Sequence, residues 1–349
     1  MFLSTEHSQH DNSLPRDCTF RPGDWHKLAA FWHPVAFSHD VVDQPVAAKL
    51  LDLDLVIYRT TSGVTVADDR CPHRGVRLSM GRIQGDNLVC AMHGLHFDRQ
   101  GRCTRIPSVQ DSARRIPKKL CLNTYTCTER YGIIWTCLKS KAVWPLPDWP
   151  QLETSASNRH FVPTDEWQAS APRHVENFND IAHFPWVHID SFGGEEGGSF
   201  PPYKVKTTGY GLTFSVPYLE GFNRFPDGVE GDEREVEYTY QLTFPFSTLL
   251  LVKPIDSDYV HYFADSVCPV SSNKTKIFQV FTDSQGVKDP DFWLNDALTI
   301  NNEDKALVES QQPFELPLDT RDELHIPADT MARSYRKSLV SKFGLGLSD

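Results

Sequence analysis

Residues 71–94, CPHRGVRLSMGRIQGDNLVCAMHG, set Cys71-x-His73 and Cys90-x-x-His93 on either side of a 16-residue spacer. This feature constrains the fold most, because it requires two separate loops to be brought together around one group. Ligand types alone leave two occupants open. One is a structural zinc ion, which accepts both side chains in tetrahedral sites. The other is a [2Fe-2S] cluster in which two histidines replace two cysteines on one iron. The order of the ligands favours the cluster: each loop contributes one Cys and one His and can reach both irons, whereas zinc sites more often pair like ligands close in sequence.

At 349 residues the chain exceeds one average core and suggests two domains. With 40% hydrophobic and 23% charged residues it has the composition of an ordinary globular protein. A formal charge of −11 argues against nucleic-acid binding, which relies on a basic surface. No apolar run approaches the roughly 18 residues of a membrane span, and MFLSTEHSQHDNSLP lacks the apolar core of a signal peptide. A cytoplasmic location without membrane contact is therefore expected. Eight cysteines are too few for a disulfide scaffold. Cys18, Cys103, Cys121, Cys127, Cys137 and Cys268 lack histidine partners and are read as buried apolar fillers.

A flexible polar tail is expected over 1–25, its first 15 residues having no hydrophobic period. Over 26–143, short β-rich runs such as LDLVIYR (53–59), VTVAD (64–68) and YGIIWTCL (131–138) alternate with turn residues, the pattern of a small antiparallel barrel or sandwich. WPLPDWP (144–150) carries three prolines in seven residues and reads as a stiff linker. The remainder, 151–349, opens with a helix predicted from Pro172 to His183, Pro185 disfavouring helical geometry at Phe184. Strand-like runs at 234–244, 247–253, 259–267 and 275–283 fit a meandering antiparallel sheet. A last helix is predicted from Pro290 to Gln312, capped by Asp289 and stopped by Pro313. Strands with segregated helices make the class α+β. The Gly-rich acidic stretches 190–200 and 225–235 read as mobile loops.

ENFNDIAHFPWVH (176–188) spaces Asn177, Asp180 and His183 three residues apart, on one face of the predicted helix, with His188 turned back by the break at Pro185. Two imidazoles beside a carboxylate are the ingredients of a 2-His-1-carboxylate Fe(II) site, which leaves positions open for O2. A structural histidine pair is the alternative; the upstream motif favours the metal. In the last predicted helix Trp293, Ala297, Ile300, Asp304, Leu307 and Gln311 recur at helical spacing, so Asp304 lies on the inward stripe. An unpaired carboxylate there would be costly, and a metal would compensate it. Glu303, turned about 100° away, is expected in solvent. Trp293, Ala297 and Ile300 are candidates for a substrate pocket, together with 190–200 and the strands over 234–283. No G-x-G-x-x-G follows a strand, so the chain carries no nicotinamide or flavin fingerprint.

CPHRG followed by C-x-x-HG and FD, over about Asp69 to Gly101, resembles the Rieske domain of ring-hydroxylating and demethylating oxygenases. One departure is Leu95 and His96, in CAMHGLHFD, where relatives show an aromatic residue after HG. His96 is read as a neighbour of the site or a surface residue rather than a ligand. From about Phe31 to Lys342 the chain resembles the single-subunit-type Rieske non-haem iron oxygenases, which include O- and N-demethylases and hydroxylases. The resemblance implies an N-terminal all-β Rieske domain whose [2Fe-2S] cluster sits on Cys71, His73, Cys90 and His93. It further implies a C-terminal helix-grip catalytic domain with mononuclear Fe(II) on His183, His188 and, from NEDKALVESQ (302–311), Asp304. It gives Asp180 another duty, bridging electron transfer between the two metal centres, with Asn177 in support. A head-to-tail homotrimer is implied, the cluster of one copy facing the mononuclear iron of the next. A separate NAD(P)H-dependent reductase, or reductase plus ferredoxin, is implied as electron donor. The implied activity is O2-dependent hydroxylation or O- or N-demethylation of a small aromatic or heterocyclic substrate. A dihydroxylating dioxygenase is less favoured, since those chains are usually longer. A zinc-stabilised or one-electron-transfer binding protein would lack a separately removable Fe(II).

Overall fold

Tyr131 and Gly132, at φ 61° and 77°, form the two-residue turn between the strands Thr124–Arg130 and Ile133–Cys137. Positive φ at both positions matches the right-handed twist of a hairpin. Leu51 and Asp52, at 51° and 64°, do the same between Val46–Leu50 and Leu53–Thr60. The structure, a computed structural model, describes residues 14–109, 116–154, 158–194, 201–229, 231 and 233–347. It divides into two compact units, Met1–Trp144 and Pro145–Asp349.

In the first unit the described elements are α1 (Pro22–Leu28), β1 (His33–Phe37), β2 (Val46–Leu50), β3 (Leu53–Thr60), β4 (Gly63–Asp68), β5 (Arg82–Gln84), β6 (Asn87–Val89), β7 (His96–Phe97), β8 (Cys103–Arg105), β9 (Thr124–Arg130) and β10 (Ile133–Cys137). They form antiparallel sheets in the orders β1-β10-β9-β4-β3-β2 and β5-β6-β7-β8. Val56, Tyr58, Leu78, Leu88 and Phe97 build a core in which Cys71 and Cys90 are seated. Helix α1 corrects the expected tail over 1–25: Trp25 is buried and its indole N–H donates to Leu51 O at 2.8 Å, anchoring the chain before residue 26. The spare cysteines divide: Cys103, Cys137 and Cys268 are buried, whereas Cys18, Cys121 and Cys127 are only half-buried.

The second unit contains β11 (His160–Trp167), α2 (Ala171–Phe178), α3 (Phe184–Val187), β12 (Lys206–Thr207), β13 (Gly211–Glu220), β14 (Arg234–Thr243), β15 (Ser247–Pro254), β16 (His261–Ser271), β17 (Lys274–Asp283), α4 (Pro290–Ser310) and α5 (Thr330–Phe343). One antiparallel sheet runs β11-β17-β16-β15-β14-β13-β12. Along β14 every second residue is buried, from Arg234 through Val236, Tyr238 and Tyr240 to Leu242, because successive side chains point to opposite faces. Helix α4 packs against β11, and α2 against β16. The end of the proline-rich stretch is folded: Trp149 is buried, and Pro150–Leu152 forms a 3-10 turn against β17.

Several expected elements are corrected. The helix predicted to reach His183 stops at Phe178, because the Asn179 amide donates to Val175 O (2.8 Å) and Thr248 Oγ1 (3.0 Å) and the backbone leaves helical geometry there. Phe184 is helical after all: Pro185 sits in the first turn of α3, where a missing N–H costs nothing. Helix α4 is capped by Asp289, whose side chain accepts from Phe292 N–H at 3.0 Å, but α5 is the final helix. Leu307 is exposed and Gln311 lies beyond α4; the buried stripe instead runs Trp293, Ala297, Asp304, Val308. Of the stretches read as mobile, 195–200, 230 and 232 lie outside the described residues; Phe192 and Phe225 are buried.

Candidate metal centres

The two cysteine loops share one backbone plan. Cys71 O accepts from Gly75 N–H (2.8 Å) while Cys71 N–H donates to Val76 O (2.8 Å). Cys90 O accepts from Gly94 N–H (3.0 Å) while Cys90 N–H donates to Leu95 O (2.9 Å). Closing this turn takes positive φ four residues after each cysteine, 76° at Gly75 and 64° at Gly94, which explains the glycines of CPHRG and CAMHG. Cys71 and Cys90 are 3% and 1% exposed, and their thiols lie within hydrogen-bonding reach of each other. His73 and His93 are exposed, their ring centroids 4.7 Å apart. Like ligands thus meet across the loops, thiols inside and imidazoles outside. That arrangement fits a two-iron cluster with thiolates on one iron and imidazoles on the other. Burial, with the neighbouring thiol, pushes Cys71 up to about 11, so its thiolate form calls for a nearby positive charge of the kind that a bound cluster would supply.

Leu95 is 4% exposed in the core beneath the cysteines. His96 is buried on β7 rather than at the surface, and desolvation, with Arg105 and Arg82 nearby, holds its pKa below the ordinary histidine value. It pairs in the sheet with Val89, one residue before Cys90.

In the second unit His183 and His188 bracket the single turn α3, and their rings lie 5.0 Å apart. His183 Nε2 and His188 Nε2 approach to 3.2 Å, and Asp304 Oδ1 lies 3.5 Å from each. Each imidazole is held from behind. His183 Nδ1 meets Asp180 Oδ2 at 3.0 Å, and His188 Nδ1 meets Glu303 Oε2 at 2.6 Å. Ser191 Oγ donates to Glu303 Oε2 at 3.0 Å. Gly193 locks the following loop: its N–H donates to His188 O at 2.7 Å, and a Cβ there would stand 2.3 Å from Phe184 O. Asn177, expected beside Asp180, hydrogen-bonds Asp304. Because α2 ends before Asp180, these residues meet through a bend and not along one helix face.

His183 Nε2, His188 Nε2 and Asp304 Oδ1 thus converge on one point. Asp304 Oδ1 is buried without a hydrogen-bond partner among the described residues, and burial raises its pKa above the ordinary carboxylate value against the pull of His183. Burial, with His183 and Arg224 nearby, lowers His188 to about 3. The ring is therefore neutral, and with Nδ1–H given to Glu303 its Nε2 lone pair points at the group. This donor set fits a 2-His-1-carboxylate iron, which would relieve both the lone-pair repulsion and the orphaned oxygen.

The three donors line an open cavity together with Trp293, Ala297 and Ile300. Phe192, Arg224 and His261 line it as well. Sequence reasoning missed Arg224, covered His261 only within the strands over 234–283, and misread Glu303, which is 20% exposed and bonded to His188 rather than in solvent. The one signal for Glu303 is its place beside Asp304: a helix position 100° around can still reach a neighbour of the same metal.

Residues 31–126 match the Rieske [2Fe-2S] domain, and residues 167–342, just over half of the chain, match the vanillate O-demethylase oxygenase C-terminal domain. The chain belongs to the Rieske oxygenases. This Rieske oxygenase is 30% identical over 326 residues to methylxanthine N1-demethylase of Pseudomonas putida, spanning 89% of the chain and 88% of that relative. It is 28% identical over 177 residues to the vanillate O-demethylase oxygenase subunit of a Pseudomonas species, spanning 47% and 46%. The solved structure of the Pseudomonas putida CBB5 N1-demethylase NdmA with caffeine superimposes with a TM-score of 0.75 at 27% identity, over 91% of both chains. Dicamba monooxygenase shares the fold, with a TM-score of 0.73 at 18% identity over 89% of this chain and 97% of that one. As a Rieske oxygenase the protein uses a [2Fe-2S] cluster and a mononuclear iron, and it is an oxygenase component served by a separate redox partner.

Proposed function

We propose that Cys71, His73, Cys90 and His93 hold the cluster, that His183, His188 and Asp304 hold the mononuclear iron, and that the chain hydroxylates or oxidatively N- or O-demethylates a small aromatic or heterocyclic compound. The observation that carries this reading is the convergence of His183 Nε2, His188 Nε2 and Asp304 Oδ1 within 3.2–3.5 Å on the wall of an aromatic cavity. An Fe(II) held there would supply one electron toward O2 chemistry, and a cluster held on the Cys/His loops would supply the second, drawn from a separate reductase or ferredoxin. The chain's own residues do the positioning. Glu303 and Ser191 fix the His188 ring, Asp180 fixes His183, and Phe184, Phe192, Tyr238 and Tyr240 surround the group with apolar surface that excludes water. In this reading Asp180, whose Oδ2 holds His183 Nδ1, would link that site to His93 of a neighbouring copy in a cytoplasmic head-to-tail homotrimer. The two units then serve as cluster domain and catalytic domain.

Oxygen insertion into a methyl group borne by nitrogen or oxygen gives a hemiaminal or hemiacetal, which collapses with loss of formaldehyde. The names of the relatives, a methylxanthine N1-demethylase and a vanillate O-demethylase, support that outcome. A panel of N-methylated, O-methylated and unsubstituted rings, assayed with a surrogate reductase, tests it by scoring formaldehyde separately from hydroxylated product. Formaldehyde in step with O2 uptake is expected from at least one methylated ring. A panel that yields neither product ends the proposal.

A further inference from the structure

The charges around the cavity narrow what it admits, an inference that rests on the oxygenase reading above. Arg224 is the one Lys or Arg among the described residues that line it. Four of its five N–H donors are committed: Nε and Nη2 to Glu220 at 3.1 and 2.9 Å, Nη2 also to Tyr238 Oη at 3.1 Å, and Nη1 to Asp296 at 2.6 Å. Tyr238 O–H in turn donates to Glu220. The guanidinium is 7% exposed and lies over the Phe192 ring at 4.6 Å. One cation thus faces two carboxylates. At the three-donor group Asp304, Asp180 and Glu303 already set three carboxylates against the charge of a divalent ion. Such charges are poorly screened when buried. A ring bearing a carboxylate or sulfonate would meet, among the described lining residues, only a cation whose charge two carboxylates already offset and which has a single N–H to give.

Uncharged polar groups at the wall are largely satisfied too. Gln279 and Asn301 exchange hydrogen bonds of 2.7 and 3.1 Å, and Gln279 donates to Asp265 at 2.9 Å. His261 differs. It stacks on Trp293 with centroids 3.9 Å apart and planes at 17°, is 4% exposed, and its Nδ1 has no hydrogen-bond partner among the described residues. His174 Nδ1 is likewise unpartnered among the described residues, its Nε2 being held by Asp265 at 3.1 Å. Burial, with Arg224 nearby, lowers His261 to about 3, so its ring is neutral at working pH.

We propose that the cavity takes an uncharged, planar, hydrogen-bonding ring and rejects aromatic carboxylates and sulfonates, with His261 reading the polar edge of the ring. The test uses the holoenzyme with O2 excluded and titrates matched pairs by calorimetry: methoxylated and N-methylated ring carboxylates and their carboxamides, alike in ring and methyl group but not in charge. Caffeine serves as an uncharged heterocycle. Each carboxamide should bind at least about tenfold tighter than its carboxylate, since like charges juxtaposed in a site repel. Asp296→Asn, which removes one of the two negative charges paired with Arg224, should narrow that gap by tightening the carboxylate. His261→Phe, which keeps the stack, should weaken caffeine by about tenfold, the worth of one hydrogen bond. A carboxylate that binds wild-type protein as tightly as its carboxamide overturns the proposal, and so does a panel in which no uncharged ring binds. Formaldehyde is scored after O2 is admitted. A tightly bound uncharged ring that yields neither formaldehyde nor hydroxylated product leaves the charge selection standing and counts against the oxygenase reading; formaldehyde from carboxylates alone does the reverse.

Discussion

The loops bearing Cys71, His73, Cys90 and His93 lie within 24 residues and take their shape from their own backbones, through paired turns closed by Gly75 and Gly94. The group of His183, His188 and Asp304 is assembled differently. Its imidazoles are aimed by side chains, and the Glu303 carboxylate that orients His188 comes from 115 residues away. A centre shaped by backbone turns should tolerate changes in the side chains around it. One shaped by hydrogen bonds between side chains should respond to single-atom changes in residues that never touch the metal.

The sharpest break in that contrast is Asp304→Ala. It should lose the mononuclear iron and drop turnover to background while the visible spectrum of the cluster stays intact; iron analysis with absorption spectroscopy reads both, and full activity in this variant would refute the ligand role. Asp180→Asn should keep both metals, yet turnover should fall on the order of 100-fold, the upper range for a group behind a ligand. Rapid-mixing measurement of cluster reoxidation checks it, and normal electron transfer would sink the bridge. Glu303→Gln should weaken iron binding by about 10–100-fold with an unaltered cluster spectrum, Ser191→Ala following with a smaller loss; chelator competition measures the difference.

Acid should act unevenly as well. His188 and His261 in the second unit are lowered to about 3 and His33 in the first to about 4, from an ordinary 6.5, each mainly by burial. Between those values the unfolded chain binds more protons than the folded one, so stability is full above about 6.5 and declines as pH falls toward 3–4. Limited proteolysis at descending pH should cut the second unit, with two such histidines, before the first; the opposite order would contradict the assignment. The smallest effect is expected at His96→Asn, which should leave the cluster spectrum in place, and bleaching would show that His96 does more than fill the sheet.

Much of this was legible in the residues. The strands at 53–60, 63–68, 234–243 and 274–283 follow from alternating or β-branched runs, and the start of α4 from Asp289 before Pro290. The early end of α2 was not, because the Asn179 amide finds Thr248 on a strand 69 residues later. Leu307 and Val308 both fit a helical apolar pattern, and only packing shows that Val308 is the buried one. Helix α1 was hidden for a similar reason: Trp25 is held by Leu51 O, in a hairpin turn 26 residues downstream.

What the sequence by itself determined is the pair of Cys/His loops and the side-chain types proposed for the second centre. A Cys-to-Gly spacing of four encodes its turn locally, and a carboxylate on an apolar helical stripe declares itself by period. What only the tertiary structure decided is which groups stand behind the proposed ligands, Glu303 on His188 and Asn177 on Asp304, and that Asp296 pairs with Arg224 on the cavity wall. These are contacts between residues distant along the chain, and hydrogen-bond geometry and burial at such sites exist only once the sheet and α4 have packed.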